Sequence, residues 1–357
     1  MEIAFLGTGS AYPSPMRGAS CVVLKMESGS CWMFDCGEGS QTQVMRNKGV
    51  KAGKINKIFI THLHGDHMFG LPGLMCTVSQ GNLCDETVEI YGPIGLRKFL
   101  RTSLELSRSM LGFSYVVHEL LPLAACYPAD WNEWPVQHES DDRLHVNEEA
   151  GSLIEADEGQ VWQVYEDEMV SIKAGWLVHR IPSFGYVIEE KPIAGRLDVS
   201  VLKARGLPPG PLYAQLKQGK SVISPSGELI HPDEVVGPPR PGRKIVIMGD
   251  TSDSSHMTAV AMDADVLVHE ATLEDGRKAD AIEKGHSTPG MAATFAYNIN
   301  AKRLILTHFS QRYKPLDAEL KEEDVSVSTL VKQAKDVFSS EVIAAEDFLS
   351  VPVPRKS

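Results

Sequence analysis

A run of metal-binding residue types follows an apolar, strand-like segment near the start of the chain. Residues 57–60 read Lys-Ile-Phe-Ile, and the next seven residues are Thr-His-Leu-His-Gly-Asp-His. His62 and His64 alternate like residues on one side of an extended chain, and Asp66 and His67 follow the glycine. One tetrahedral zinc ion could use three of these ligands, but four so close together favour a two-metal centre. The alternative is a polar strand end with solvated histidines.

The net charge of the chain comes from one region. The 357 residues carry 47 acidic and 35 basic side chains, a formal net charge of -12. Residues 127–170 contain 13 acidic residues and one arginine, so the rest of the chain has 34 of each sign. Residues 191–244 are basic, with nine Lys and Arg against four acids. Net charge therefore does not exclude an anionic substrate.

Composition favours a globular intracellular protein. Hydrophobic residues make up 43% of the chain, and no apolar run approaches the ~18 residues of a membrane helix. No leader-like segment precedes the first strand-like residues. The six cysteines (21, 31, 36, 76, 84 and 126) form no Cys-x-x-Cys pair and are sparse, which favours reduced thiols. We expect no membrane partner and a location in the cytosol, the nucleus or both.

Strand-like and helical patterns alternate along the sequence, which predicts an α/β layered architecture. Helices are predicted around 67–80, 95–108, 288–299 and 316–338. Apolar, β-rich segments lie at 3–6, 21–24, 32–35, 57–61, 88–91, 176–178, 244–248, 266–268 and 303–307.

Polar residues follow the carboxyl ends of several predicted strands. Ligand sites in open α/β sheets gather at such strand ends. Each of these residues alone would more often be structural, but their equivalent positions favour a shared site. They are His62, His179, Asp250, His269 with Glu270, and His308.

Two segments interrupt this pattern. The acidic stretch 127–170 has no sustained periodicity before Val161, which predicts a loop insertion that is partly disordered. The second segment, 191–243, contains Gly-Leu-Pro-Pro-Gly-Pro at 206–211. This density of glycine and proline cannot continue a helix or a central strand, and an exposed linker is the simple interpretation.

With these features together, the sequence resembles ribonuclease Z (tRNase Z) of the short, ElaC type, within the metallo-β-lactamase superfamily. The opening motif is residues 5–13, Phe-Leu-Gly-Thr-Gly-Ser-Ala-Tyr-Pro, and the run at 62–67 matches the superfamily signature His-x-His-x-Asp-His. His-Glu-Ala-Thr at 269–272 and Gly-His-Ser-Thr at 285–288 are characteristic of the family. The resemblance implies one metallo-β-lactamase αββα sandwich domain over 1–357. It also implies that 191–243 forms a projecting Pro/Gly-rich exosite arm that grips tRNA.

The resemblance also implies roles for individual residues. Asp250 would bridge two zinc ions per chain, and Asp66 would also accept a proton from the attacking water. Glu270 and His286 would form an acid pair that protonates the departing ribose oxygen, with support of the zinc ligands as the alternative role. One zinc would bind His62, His64 and His179, and the other Asp66, His67 and His308. Substrate-binding candidates are Arg17 and the arm residues Gly206, Pro208, Pro209, Gly210, Tyr213, Lys217 and Lys220.

The loop at 13–18 departs from the family. It keeps Pro13 and Arg17 of a Pro-x-Lys-x-Arg-Asn pattern and lacks the lysine and asparagine, which leaves the treatment of CCA-bearing ends open. The acidic stretch has no role in the family that we can assign.

The function implied is zinc-dependent cleavage of precursor tRNA after the discriminator base, leaving a 3′-hydroxyl, by a homodimer whose arms serve the partner's metal site. Removal of a 2′,3′-cyclic phosphate from tRNA ends uses the same metal pair and stays open. A thioester or lactone hydrolase and a non-catalytic RNA-binding subunit are the alternatives from other classes, and the complete set of seven ligands disfavours the last.

Overall fold

The computed structural model describes residues 1–81 and 87–356, so Cys84 lies outside the described residues. Each predicted strand segment overlaps an observed strand. The strands are β1 (Glu2–Gly7), β2 (Cys21–Lys25), β3 (Cys31–Phe34), β4 (Ile55–Phe59), β5 (Val88–Pro93), β6 (Tyr115–Leu120), β7 (Glu148–Glu149), β8 (Leu153–Ile154), β9 (Val161–Glu166), β10 (Val170–Leu177), β11 (Ser183–Glu190), β12 (Val222–Ile223), β13 (Leu229–Ile230), β14 (Lys244–Ile247), β15 (Val266–Glu270), β16 (Arg303–Thr307), β17 (Tyr313–Lys314), β18 (Val325–Ser326), β19 (Glu341–Ala344) and β20 (Ser350–Pro352).

The helices are short. None in the described ranges is long and apolar enough to cross a membrane. They are α1 (Ser40–Arg46), α2 (Gly65–Met68), α3 (Leu71–Gly81), α4 (Leu96–Leu106), α5 (Val199–Ala204), α6 (Pro211–Lys217), α7 (Pro232–Val235), α8 (Thr258–Ala261), α9 (Lys278–Glu283), α10 (Pro289–Asn298) and α11 (Val327–Val337).

Two large sheets hold most of the strands. The first has the order β20-β1-β2-β3-β4-β5-β6-β7, with β8 also paired to β6. The second has the order β19-β16-β15-β14-β11-β10-β9. Strands β14, β15, β16 and β19 are parallel, so their carboxyl ends lie at one edge of the second sheet.

Alternating side chains of each sheet face helices on one side and the other sheet on the other side. In β4, Ile58 packs in a core cluster with residues of α1, α3 and α4. The neighbouring Phe59 stacks on Phe34, and its ring centroid is 5.4 Å from that of Tyr186 in β11. In the second sheet, Leu267 packs in a cluster with residues of α10 and α11. Each such buried side chain contributes about 1.5–3 kcal/mol, and together they give the predicted αββα layers.

The acidic stretch is more ordered than the sequence predicts. Strands β7, β8 and β9 lie within 127–170, and β7 and β8 precede Val161, in the part that the sequence predicts to be loop. The fully covered side chain of Glu148 pairs with Arg97 Nε at 2.5 Å. Arg101 also pairs with Asp141 at 2.9 Å. Basic side chains of α4 compensate the acidic charge that the sequence alone left unpaired.

The helix predicted at 316–338 is shorter than expected. It begins at Val327, because the Ser326 hydroxyl accepts a hydrogen bond from the Ser328 N–H and caps the first turn. Residues 319–324, which contain five charged side chains, precede the helix without a regular apolar face.

The described chain divides into two compact units. The larger contains residues Met1–Glu166, Ser171–Ile188 and Lys244–Pro354, and the smaller contains Asp167–Val170 and Glu189–Arg243 with the C-terminal residues. The smaller unit has an apolar core of its own, formed by Leu202, Leu207, Leu216, Val222, Ile230 and Val235. The Pro/Gly-rich segment is therefore folded, and Pro211 occupies the first turn of α6, where its missing N–H is tolerated.

Candidate metal centre

The structure brings all seven predicted metal ligands together. Four of them lie in the run after β4, and the other three follow β10, β14 and β16. Because the last two strands are parallel neighbours of β15, their ends deliver side chains to the same sheet edge. The ligand atoms form two sets, His62, His64 and His179, and Asp66, His67, Asp250 and His308.

The first set consists of three imidazoles. His64 Nδ1 lies 3.1 Å from His62 Nε2 and 3.1 Å from His179 Nε2. A tetrahedral zinc ion with Zn–N bonds of about 2.0–2.1 Å sets its ligand atoms about 3.3–3.4 Å apart. The spacing of the three nitrogen atoms therefore fits one zinc ion.

The second set combines two imidazoles with carboxylates. His308 Nε2 lies 3.3 Å from His67 Nε2 and 3.3 Å from Asp66 Oδ2. Asp250 Oδ1 is 3.4 Å from both of these Nε2 atoms, while its Oδ2 is 3.8 Å from His62 Nε2 in the first set. The two oxygen atoms of Asp250 thus face different sets, which is the arrangement a ligand bridging two ions requires.

Asp35 and Thr61 orient two of the histidine rings. Asp35 Oδ2 lies 2.7 Å from His67 Nδ1 and accepts a hydrogen bond from the Thr61 hydroxyl at 2.9 Å. The same hydroxyl oxygen is 3.0 Å from His62 Nδ1. Such partners fix the ring and tautomer of a metal-binding histidine. Asp35 is not among the predicted site residues, although it ends the predicted strand 32–35 and so lies at a strand end like the others.

His179 and His308 have partners of the same kind. His179 Nδ1 donates to the Gly285 carbonyl at 2.6 Å. His308 Nδ1 is 2.9 Å from the Thr272 hydroxyl, which in turn donates to Glu270 Oε2. These contacts leave His179 Nε2 and His308 Nε2 facing the centre of the site.

Burial keeps the histidines of the first set neutral. It lowers the pKa of His64 to about 4 and lowers the pKa of His179, while the pKa of His62 lies well below its ordinary value. Neutral imidazole is the form that binds a metal ion.

Carboxylates dominate the second set. Burial lowers the pKa of His67, but the charges of Asp250, Asp35 and Asp66 outweigh it and hold that pKa well above the ordinary value. Burial raises the pKa of Asp66, but charged His67 and a hydrogen bond from His308 outweigh that effect and hold the pKa below its ordinary value. The carboxyl therefore stays ionised. Asp35, Asp66 and Asp250 thus surround the buried ring of His67 with negative charge, which a bound cation would neutralise.

Glu270 and His286 form a pair beside the second set. Glu270 is 2% exposed, and its Oε1 accepts a hydrogen bond from the Thr251 N–H at 2.7 Å and lies 3.2 Å from His286 Nδ1. His286 Nδ1 is also 3.6 Å from Asp250 Oδ2. Burial lowers the pKa of His286, but the charges of Glu270 and Asp250 outweigh it and raise the pKa to about 9. His269 points elsewhere, with its Nε2 2.7 Å from the Ser254 hydroxyl.

Three residues at the centre have a left-handed backbone. Ala11, Asp35 and His308 have φ angles of 69°, 60° and 58°. The Ala11 N–H donates to Asp66 Oδ2 at 2.7 Å. Non-glycine residues in this region cost of order 1–3 kcal/mol and concentrate at functional sites.

Arg17 is buried. Its side chain is 2% exposed, and Nη1 donates to the Thr8 hydroxyl at 2.8 Å. The guanidinium carbon lies 5.0 Å from the centroid of the Phe309 ring. The structure thus gives no support to the substrate contact predicted for Arg17, because neighbouring side chains cover its guanidinium.

The predicted arm residues lie in the smaller unit and are mostly exposed. Gly206 has a φ of 72° and ends the turn after α5. Tyr213 is half-buried, and its hydroxyl donates to the Leu207 carbonyl at 3.0 Å. The exposed members of the group are Gly206, Pro208, Pro209, Gly210, Lys217 and Lys220.

Comparison with known proteins places this architecture in a family. Human zinc phosphodiesterase ELAC protein 1 is 50% identical over 370 residues, covering 100% of this chain and 99% of its own. The crystal structure of human tRNase Z, short form (ELAC1), superposes with a TM-score of 0.69 at 41% identity and covers 99% of this chain and 100% of its own. The chain belongs to the short-form tRNase Z family. The family resemblance inferred from the motifs is thereby confirmed.

Two further comparisons show less than family membership. The metallo-β-lactamase fold protein YhfI from Bacillus subtilis matches with a TM-score of 0.56 at 14% identity, covering 98% of this chain and 99% of its own. That similarity shows the fold alone, and it confirms the predicted metallo-β-lactamase architecture of this chain. A family model described as anti-Pycsar protein Apyc1 matches residues 1–110, which contain strands β1–β5 of the first sheet and the run after β4.

Proposed function

We propose that this protein is a zinc-dependent endoribonuclease that cuts precursor tRNA after the discriminator base and leaves a 3′-hydroxyl. The observation that carries the proposal is the convergence of seven ligand side chains on two adjoining positions, with Asp250 facing both. The names of its relatives, a zinc phosphodiesterase and a tRNase Z, support the metal and the substrate class.

The donor sets fit two zinc ions per chain. Seven ligands exceed what one tetrahedral ion uses, and the distances within each set suit zinc. When bound, the zinc pair acts as a Lewis acid toward the phosphodiester oxygens and the attacking water. One ion would bind His62, His64 and His179, the other Asp66, His67 and His308, and Asp250 would contact both.

Asp66 is placed to accept a proton from the attacking water. Its Oδ2 is held by the Ala11 N–H at 2.7 Å, and the carboxylate lines the cleft beside His64 and Asp250. An ionised, oriented carboxylate in hydrogen-bond reach of a water can serve as a general base.

His286 and Glu270 are placed to deliver a proton on the leaving side. His286 lines the same cleft, and its Nδ1 contacts Glu270, so Nε2 is the nitrogen that can donate to the departing ribose oxygen. The buried carboxylate of Glu270, held by the Thr251 N–H, fixes the ring. A ribose alkoxide is a poor leaving group, so protonation at this step lowers the barrier.

The smaller unit is assigned to tRNA binding. The exposed glycine and proline residues at 206–210 present backbone groups, and Lys217 and Lys220 provide exposed positive charges for phosphates. Contacts of this kind select folded RNA by shape and phosphate position, and leave the chemistry to the metal centre.

The homodimer is inferred from the family resemblance, and the location is inferred from the free cysteines. We assign a homodimer in which the arm of one subunit serves the metal centre of its partner. Light scattering should therefore give twice the chain mass of 39.1 kDa, and a value of one chain mass would reject the dimer.

The described cysteines are all free, which supports a reducing compartment such as the cytosol or nucleus.

The test is incubation of the zinc-loaded protein with an unprocessed tRNA transcript, with and without chelator, followed by mapping of the product end. We expect a 3′-hydroxyl after the discriminator base, and no product after chelation. Parallel reactions contain tRNA ending in a 2′,3′-cyclic phosphate, a lactone and a thioester. Action on the cyclic phosphate alone would show that the protein repairs tRNA ends and does not cut precursor tRNA. Action on the lactone or thioester alone would show that the protein is not a ribonuclease.

A further inference from the structure

An exposed aromatic ring lies in the cleft beside the metal centre. The cleft has a volume of about 430 Å³, and Phe69 lines it together with His64, Asp66 and His286. The Phe69 side chain is 59% exposed. A ring of this size normally buries most of its surface, so a molecule bound in the cleft would cover an apolar face that is now in water.

The orientation of this ring is fixed by its neighbours. The Phe69 N–H donates to the Gly65 carbonyl at 2.9 Å. A Cβ atom at Gly65 would lie 2.3 Å from Phe69 Cε2, so only glycine allows the ring to rest on this turn. Phe99 of α4 stacks on the ring, with centroids 6.0 Å apart and an angle of 25° between planes. Little side-chain freedom remains to be lost when a ligand binds.

The charges in the cleft match a phosphodiester chain. Arg180 and Lys284 line the cleft and are exposed, and Glu38 is an exposed acid in the same lining. Aromatic rings combined with Lys and Arg are the means by which proteins bind single-stranded nucleic acid without base-specific hydrogen bonds. The combination therefore selects a nucleotide over a lactone or a simple phosphate ester.

We propose that Phe69 stacks on the base of one of the two nucleotides that flank the scissile phosphate, while Arg180 and Lys284 contact neighbouring phosphates. The inference rests on the proposed function and adds a base-binding subsite to it. Stacking tolerates every base because each has a π-face, so the subsite would contribute affinity and position without sequence preference.

The experiment removes the ring and the base separately. Wild-type protein, Phe69→Leu and Phe69→Tyr cleave three precursor tRNAs: intact, abasic at the last tRNA nucleotide, and abasic at the first trailer nucleotide. On intact substrate, Phe69→Leu should lower kcat/KM by about 5- to 150-fold, the equivalent of one base stack, and Phe69→Tyr should restore most of it. On one of the abasic substrates, wild-type protein and Phe69→Leu should agree within about threefold.

The controls separate the possible failures. Tyr297→Leu removes a ring that is 71% exposed on α10 and outside the cleft lining, and it should cleave all three substrates like wild type. Zinc content is measured for every variant. If wild-type protein leaves the intact precursor uncut, the proposed function fails and this inference falls with it. If wild-type protein cuts it, but Phe69→Leu loses nothing, or loses equally on all three substrates, the base-binding role alone is wrong.

Discussion

Replacing Glu270 by Gln tests whether Glu270 and His286 act as one acid unit. Glu270 is buried, and its Oε1 contacts both the Thr251 N–H and His286 Nδ1. Glutamine keeps the shape and the acceptor oxygen but removes the charge that holds a proton on the imidazole. His286→Ala removes the proton donor itself, and the double variant removes both.

The size of the effect follows from the role. General acid catalysis contributes about 10²- to 10⁴-fold, or roughly 2.7–5.4 kcal/mol of barrier. We expect each single variant to slow cleavage of precursor tRNA within this range. The double variant should be scarcely slower than either, because residues that act as a unit are not additive.

The assay compares two leaving groups under single-turnover conditions. Precursor tRNA releases a ribose oxygen that needs a proton, whereas a nitrophenyl phosphodiester releases a stable phenolate, so its hydrolysis should suffer far less. Glu283→Gln, an exposed residue of α9, is the matched control. Equal losses on both substrates, loss of zinc, or multiplicative effects in the double variant would show that the pair only supports the metal ligands.

Three further outcomes are expected. Asp35→Asn should weaken zinc affinity about 10- to 100-fold in a chelator competition, because Asp35 holds His67 Nδ1 at 2.7 Å; unchanged affinity would contradict that role. Replacing Lys217 and Lys220 by Ala should weaken tRNA binding and reduce the slope of log K against log[salt] by up to about 2, measured by filter binding at several salt concentrations. A slope equal to that of wild type would remove these lysines from the interface. Arg97→Met should lower the free energy of unfolding, measured in urea, by about 3–5 kcal/mol, because it leaves the covered carboxylate of Glu148 without its partner. The control is Lys278→Met, at an exposed residue of α9. A loss below about 1 kcal/mol for Arg97→Met would mean that the acidic stretch is loosely attached.

The strand ends explain why the sequence predicted so much of the centre. His179, Asp250 and His308 are far apart in the chain, but each follows an apolar strand. The strands before Asp250 and His308 are parallel, so their carboxyl ends share an edge of the sheet. Spacing alone suggested a metal site. The division of the ligands between two ions came from the family resemblance, and the distances of 3.1 Å between His64 Nδ1 and its neighbours are consistent with it.

The contacts that orient these ligands depend on tertiary structure that no local pattern encodes. The Ala11 N–H reaches Asp66 through a left-handed backbone, and Thr272 contacts a histidine 36 residues away. The surroundings of Arg17 depend on tertiary structure in the same way. Its position in a family loop predicted a substrate contact, but Phe309, distant in the chain, packs under its guanidinium.

The acidic stretch shows a different limit of sequence reasoning. Its composition predicted a partly disordered loop before Val161, yet the side chain of Glu148 is fully covered and pairs with Arg97. Sequence composition reports charge but not the partners that neutralise it.

The most direct test of the dinuclear zinc centre is to titrate zinc into metal-free protein and measure both bound zinc per chain and the initial rate of precursor tRNA cleavage. Two donor sets joined by Asp250 predict that the rate saturates as bound zinc reaches two ions per chain, and that Asp250→Ala neither binds the second ion tightly nor cleaves. Full activity with one ion or none, or full activity of Asp250→Ala, would contradict the account.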